Sequence, residues 1–225
     1  MNWNFIKSYK EHQVNKKIKK FSNRTYDLSK PSLSSLMIKF RAFDNKDGTD
    51  KDTLHSYIET YEKILVPLRD NARNVLEIGV YSGAFLEILA DFFDNAQIYG
   101  IDIDLSNLRF GKDNPRIHIY ELNGTDPDSI KKLGIKSFDL IIEDGSHIPV
   151  EQIATFNNYA PLIGPGGIYI TEDINSSALT TLHPRLTQIA HANQMDFEII
   201  DLRYVKGRYD DICMIAKKNE FSSSI

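Results

Sequence analysis

A single cysteine, Cys213, lies in an apolar run near the C-terminus, so neither a disulfide framework nor a cysteine-ligated metal site can form within one chain. That usage fits a reducing compartment. With no apolar signal-peptide core at the N-terminus, it predicts a cytoplasmic protein. Long hydrophobic runs are missing too: none approaches the roughly 18 residues that a membrane-spanning helix needs. Excess positive charge is absent, since 27 Lys and Arg face 31 Asp and Glu for a formal net charge of -4, which argues against general nucleic-acid affinity. No internal repeat is visible. The remaining composition, 41% hydrophobic and 26% charged over 225 residues, is that of one globular domain with an elaborated N-terminal part.

The most informative stretch is Val75-Leu76-Glu77-Ile78-Gly79-Val80-Tyr81-Ser82-Gly83. It runs an apolar, β-favouring strand into a glycine loop, followed by a helix-like run from Ala84 to Phe93. Gly79 and Gly83 let the backbone turn sharply and approach a ligand closely. The spacing is E-x-G-x-x-x-G, which is neither the dinucleotide G-x-G-x-x-G nor a P-loop. It resembles the first motif of class I S-adenosylmethionine-dependent methyltransferases. A second short strand, Ile98 to Asp102, also ends in acid. In a doubly wound sheet, an acid at that tip accepts hydrogen bonds from both ribose hydroxyls, and Asp102 suits this better than Asp104.

The first thirty residues are markedly basic, with Lys7, Lys10, Lys16, Lys17, Lys19, Lys20, Arg24 and Lys30 offset only by Glu11 and Asp27. Trp3, Phe5, Ile6, Tyr9, Val14, Ile18 and Phe21 recur at spacings that a helix gathers on one face. The plainer reading is a surface helix packed on the domain or on a second subunit; an acidic substrate or a membrane surface is the alternative. A polar loop, Asp44 to Asp50, then precedes a predicted helix from about Asp52 to Leu65, capped by Thr49 or Asp50.

From Asn74 onward strand and helix patterns alternate. Strands are expected at Val75–Val80, Ile98–Asp102, Ile117–Leu122, Phe138–Glu143 and Gly167–Thr171, with helices at Asp126–Leu133, Val150–Tyr159 and Leu179–Gln194. Phe197–Val205 and Asp211–Ala216 read as a hairpin around Lys206-Gly207-Arg208. The fold class is therefore α/β: a Rossmann-like, seven-stranded, mostly parallel sheet with one antiparallel strand, helices on both faces and an N-terminal helical extension. The expected boundaries are an arm at 1–43, the main domain at 44–218 and a frayed tail at 219–225.

Chemistry concentrates at two strand ends. One strand runs into Glu143-Asp144-Gly145-Ser146-His147, and the next ends in Thr171-Glu172-Asp173. The carboxyl ends of neighbouring parallel strands face one crevice, so Asp144, His147, Glu172 and Asp173 should converge beside the glycine loop. Such a rim is costly to desolvate without compensation, and a hard divalent cation such as Mg²⁺ provides it. A cation beside an imidazole also activates a hydroxyl, because it stabilises the developing alkoxide while the imidazole takes the proton. The duller alternatives are a capping role for His147, an Asp-Gly turn at Asp144, and strand-end acids that merely face water.

Asp144-Gly145-Ser146-His147, followed by Pro161-Leu162-Ile163-Gly164-Pro165-Gly166-Gly167-Ile168-Tyr169 and by Glu172-Asp173, resembles the macrolide sugar O-methyltransferase family. Gly48-Thr49-Asp50-Lys51, with His55, Tyr57 and Tyr61, is similar to the segment preceding the core in that family, and the likeness covers roughly residues 47 to 175. The resemblance implies a divalent metal held by Asp144, Glu172 and Asp173, with His147 as general base. It implies an S-adenosylmethionine site formed by Glu77, Gly79, Tyr81, Gly83, Asp102, Asn123 and Asp144, with Thr49 and Tyr57 contributing. Glu143 departs from the aspartate often found at its position, and Asn123 stands where many relatives have an acid.

The expected function is thus metal-dependent O-methylation of a sugar hydroxyl on a glycan or glycosylated natural product. Alternatives are a small-molecule N- or catechol-type O-methyltransferase and a non-catalytic cofactor-binding module. The expected partner is a small-molecule or glycan acceptor, without nucleic acid or a membrane span, and the aromatic basic arm suggests a homo-oligomer contact.

Overall fold

Seven strands form one sheet in the computed structural model, which describes residues 3–22, 29–41 and 48–220. They are β1 (Asn74–Ile78), β2 (Gln97–Asp102), β3 (Ile117–Glu121), β4 (Phe138–Glu143), β5 (Ile163–Thr171), β6 (Met195–Asp201) and β7 (Ile212–Lys218), in the order β3-β2-β1-β4-β5-β7-β6. Only β7 is reversed, pairing antiparallel with both β5 and β6. The helices are α1 (Trp3–Ile18), α2 (Leu33–Arg41), α3 (Tyr57–Leu65), α4 (Ala84–Phe92), α5 (Pro127–Leu133), α6 (Pro149–Tyr159), α7 (Leu179–Ala192) and the short α8 (Arg203–Lys206).

The two-residue period of each strand divides the core into two layers. Val75, Ile98, Leu140, Ile142 and Ile170 face α3 and α4, where Tyr61, Ile64, Phe85, Leu89 and Phe92 are buried. Leu76, Ile78, Ile101, Ile141 and Tyr169 face the other way, onto Phe156 and Tyr159 of α6 and Leu182 and Leu186 of α7. This alternation positions the site, because Glu77 follows Leu76 and Glu172 follows Thr171. Both acids point into the α3–α4 layer, whereas Glu143 and Thr171 belong to the α6 layer.

The basic arm packs on the domain at its C-terminal half. Val14, Ile18 and Phe21 join the α3–α4 core, while Trp3 and Tyr9 are exposed. Lys17 donates to the Ile199 carbonyl at 2.7 Å, and Lys20 pairs with Glu198 of β6. Arg24 and Asp27, the loop residues Asp44 to Asp47 and the tail 221–225 lie outside the described residues.

Three local expectations need correction. The helix expected from Asp52 starts instead at Tyr57, after a series of turns in which the Asp50 carbonyl accepts the N–H groups of Leu54 and His55. Neither Thr49 nor Asp50 caps it; Ser56 occupies the cap position and donates its own N–H to Asp211. Lys51 and His55, on these turns, are both buried. Second, the strand expected to run to Val205 ends at Asp201, and Arg203–Lys206 forms the short helix α8, closed by Gly207 at φ 81°. Third, the expected alternation of strand and helix lapses between β2 and β3, where residues 103–116 form turns and bends.

Candidate active site

The strand order reverses at β1, whose neighbours are β2 and β4, and an α/β sheet opens a ligand crevice at such a point. A cavity of about 540 Å³ lies there, lined among others by Thr49, Lys51, Glu77, Gly79, Tyr81, Asp102, Asn123, Asp144, His147 and Asp173. Gly79 adopts φ +88°, and a Cβ on it would stand 2.1 Å from the Asp144 carbonyl oxygen, so the loop touches the end of β4 with no room for a side chain. Gly83 adopts φ +80°, and a Cβ there would meet the Phe110 carbonyl oxygen at 2.6 Å. Asp102 fastens the loop, as its Oδ2 accepts the N–H groups of Val80 and Tyr81, both at 2.9 Å. Asn123 closes an Asx turn on the N–H and hydroxyl of Thr125 and remains in the cavity wall.

At the rim, ligand atoms of Asp144, His147 and Asp173 all lie within 4.8 Å of one another. His147 Nε2 is 3.9 Å from Asp144 Oδ1 and 3.8 Å from Asp173 Oδ2, and its side chain is 42% exposed, so the ring is accessible from the cavity. Tyr81, His147 and Asp173 have φ of 45°, 56° and 51°, left-handed values that non-glycine residues adopt at a cost. Three of the four non-glycine residues with positive φ among the described residues therefore line this cavity.

Below the rim lies a layer of buried charge. Lys51 is 1% exposed, and its Nζ donates to Asp144 Oδ2 at 2.5 Å and to Glu172 Oε2 at 2.8 Å, with Glu77 Oε1 at 3.9 Å. Burial disfavours the ammonium, but Asp144, Glu172 and Glu77 outweigh it and hold Lys51 well above the ordinary lysine range. Burial raises Glu172 well above the carboxylate range despite Lys51, and it raises Glu77 to about 8. Asp173 is likewise pushed up, first by burial and then by Asp144, against the opposing effects of His55, Tyr57 and His147.

The structure thus brings Asp144, His147 and Asp173 within 4.8 Å of one another, and sets Glu172 one layer deeper, where Tyr61 and Lys51 engage both its oxygens. Thr49 is in the cavity wall; Tyr57 is not, being buried beneath Asp173 with its hydroxyl on that carboxylate. Lys51, His55 and Tyr61 carried no assigned chemistry in the sequence reading. The available signal was their polarity at positions facing inward from an amphipathic segment, where apolar residues are expected.

The chain is also similar to proteins of known activity. Over 142 residues the chain is 35% identical to the 8-demethyl-8-alpha-L-rhamnosyl tetracenomycin-C 2'-O-methyltransferase of Streptomyces olivaceus, covering 59% of this chain and 36% of the relative. Over 155 residues it is 32% identical to the mycinamicin VI 2''-O-methyltransferase of Micromonospora griseorubida, covering 64% and 36%. The chain therefore spans little more than a third of the length of these relatives. The structure of the MycE methyltransferase with Mg, SAH and mycinamycin VI superposes with a TM-score of 0.63 at 25% identity, covering 87% of this chain and 57% of that one. Residues 54–200, which carry the sheet from β1 to most of β6 with the glycine loop and the acidic rim, match the FtsJ-like methyltransferase family, and the chain belongs to it.

Proposed function

We propose that this protein transfers a methyl group from S-adenosylmethionine to a sugar hydroxyl of a glycosylated acceptor, with a divalent cation, Mg²⁺ or a similar ion, held at the rim. The observation that carries the reading is the meeting of Asp144, His147 and Asp173 within 4.8 Å at the mouth of the glycine-loop cavity.

The residues present fit both groups. Glu77 Oε2 is buried at the cavity with no hydrogen-bond partner among the described residues, which suits a ligand bearing an ammonium. A Cβ at Gly79 would meet backbone, and Asp102 and Asn123 line the same cavity, which supports their roles at the ribose and the base of a nucleoside. The two carboxylates of Asp144 and Asp173 form a suitable oxygen donor pair for a divalent ion, and His147 beside them keeps its ring nitrogen for proton transfer. When bound, the donor supplies an electrophilic methyl, and the cation supplies positive charge beside the attacking hydroxyl.

The protein's own part is proton transfer and alignment. His147 Nε2, exposed to the cavity, accepts the hydroxyl proton as general base, with Asp144 Oδ1 and Asp173 Oδ2 at 3.9 and 3.8 Å on either side of it. Asp144 and Asp173 would hold the cation. Glu172 would be a further ligand only if its Oε2 gave up the contact with Lys51. The glycine loop and Asp102 fix the donor, so attack proceeds from one direction.

The test is transfer of labelled methyl from S-adenosylmethionine to a panel of rhamnosyl and other deoxysugar glycosides, with products located by mass spectrometry. Transfer to a sugar oxygen that stops on chelation and returns with Mg²⁺ supports the reading. Equal transfer after exhaustive chelation overturns the metal's part, and methylation only of nitrogen or of catechols overturns the acceptor class.

A further inference from the structure

Among the described residues, Lys51 is the one ammonium buried among the acids of this site, and the proposed methyl transfer gives it no step. Its surroundings are unusual for a lysine. The side chain is 1% exposed, three carboxylates (Glu77, Asp144 and Glu172) surround Nζ at 2.5 to 3.9 Å, and the Phe85 ring lies beside it with its centroid 4.9 Å away. A buried charge of this kind persists only when it is paired, and removing its partner leaves the remainder uncompensated.

The pairing is directional. The Tyr61 hydroxyl takes Glu172 Oε1 at 2.5 Å, which leaves Oε2 for Lys51. Lys51 takes Asp144 Oδ2, so Oδ1 is the oxygen that lies 3.9 Å from His147. One ammonium therefore orients both acids and links Glu77 of the donor cavity to the rim.

We propose that Lys51 is the built-in counter-cation of the site, a positioning residue that holds Asp144 and Glu172 in place without a divalent ion and competes with that ion for them. The proposal rests on the metal-dependent reading above and goes beyond it in two ways. The acid cluster stays assembled in the metal-free protein because Lys51 already neutralises part of it. The incoming ion meets a fixed positive charge and a shared ligand, so Lys51 keeps binding weaker than the carboxylates alone would make it.

The experiment is Mn²⁺ titration of the full chain followed by electron paramagnetic resonance, comparing the unaltered protein with Lys51→Met. Lys51→Met should bind Mn²⁺ about ten-fold or more tightly, because the repulsion and the competition are removed together. Its melting temperature should fall without metal and rise more than that of the unaltered protein when Mn²⁺ is added. A merely structural lysine predicts the opposite sign, since disordered ligands bind metal less well. Unchanged or weaker Mn²⁺ binding by folded Lys51→Met overturns the proposal and leaves the metal-dependent reading standing.

Should Lys51→Met be unfolded in metal-free buffer, Mn²⁺ should restore its far-ultraviolet circular dichroism where the same ionic strength of sodium chloride does not. Failure of that rescue also overturns the proposal. If the unaltered protein takes up no Mn²⁺ but Lys51→Met does, the metal-dependent reading fails while the role of Lys51 is upheld. If neither takes it up, both fail.

Discussion

Tyr57 binds Asp173 twice: its hydroxyl donates to Asp173 Oδ1 at 2.6 Å and accepts the Asp173 backbone N–H at 3.1 Å. Asp173 has a positive φ of 51°, and this double contact is what over-determines the strained position. His55 stacks on Tyr57 with ring centroids 5.0 Å apart and brings Nδ1 to 3.1 Å from the same carboxylate oxygen. The α3 segment thus presents Asp173 to the rim from below.

Tyr57→Phe removes both bonds and keeps the ring. It should cost about 1–3 kcal/mol of stability, the penalty for leaving buried polar groups unpaired. Activity should fall by at least an order of magnitude beyond what that destabilisation explains, because Asp173 loses its aim. Urea unfolding and steady-state rates on the same preparation check both; unchanged turnover would place Asp173 outside the machinery.

His147→Ala should leave the melting temperature nearly unchanged, since the side chain is 42% exposed and makes no close contact with either neighbouring acid. Methyl transfer should drop by about 10²–10⁴-fold, the usual contribution of a positioned general base. Donor affinity, measured by titration calorimetry, should stay within a few-fold of the unaltered protein. Retention of full turnover would remove His147 from the mechanism.

Gly79→Ala places a methyl group 2.1 Å from the Asp144 carbonyl oxygen and strains a φ of +88°. The backbone strain alone costs about 1–2 kcal/mol, and the clash with main chain adds to it. The variant should lose donor binding and melt several degrees lower, whereas Gly207→Ala, with open space around its Cβ position, pays only for its φ of +81°. Differential scanning calorimetry of the pair separates the two costs.

Glu143 predicts a pH dependence. Burial raises its carboxyl to about 8, although the Gly145 N–H opposes the shift. Its proton therefore favours the folded state: the stabilisation is complete below about pH 4.5, the unfolded value, and is lost as pH rises towards about 8. In that window the slope from this one group is about 1.4 kcal/mol per pH unit at most. Glu143→Gln should flatten the fall in stability between pH 5 and 8 (about that range) in chemical denaturation, since an amide has no proton to lose. An identical slope in both proteins would show that Glu143 ionises freely in the fold.

Much of the fold was legible in the sequence. Strands β1, β2 and β4 are short apolar runs bounded by turn residues, and their buried character follows directly from composition. The boundaries that moved are those where local pattern competes with a distant partner. Tyr204 and Val205 look like strand residues, yet Gly207 closes a helical turn there because β6 must end before β7 returns beside it. The start of α3 shifted for a similar reason, as Lys51 and His55 are held by Asp144, Glu172 and Asp173, all more than a hundred residues away or nearly so in the chain.

Sequence alone determined the class of fold, the glycine loop and the meeting of Asp144, His147 and Asp173, because a parallel strand carries its C-terminal residues to one edge whatever surrounds it. Only the tertiary structure decided which acid faces what. The two-residue period sends Glu172 into the α3 layer, where Tyr61 and Lys51 bind it, and leaves Asp173 at the rim above Tyr57. No local pattern encodes that division, since it depends on a lysine delivered from another part of the chain into a space where an unpaired charge could not persist.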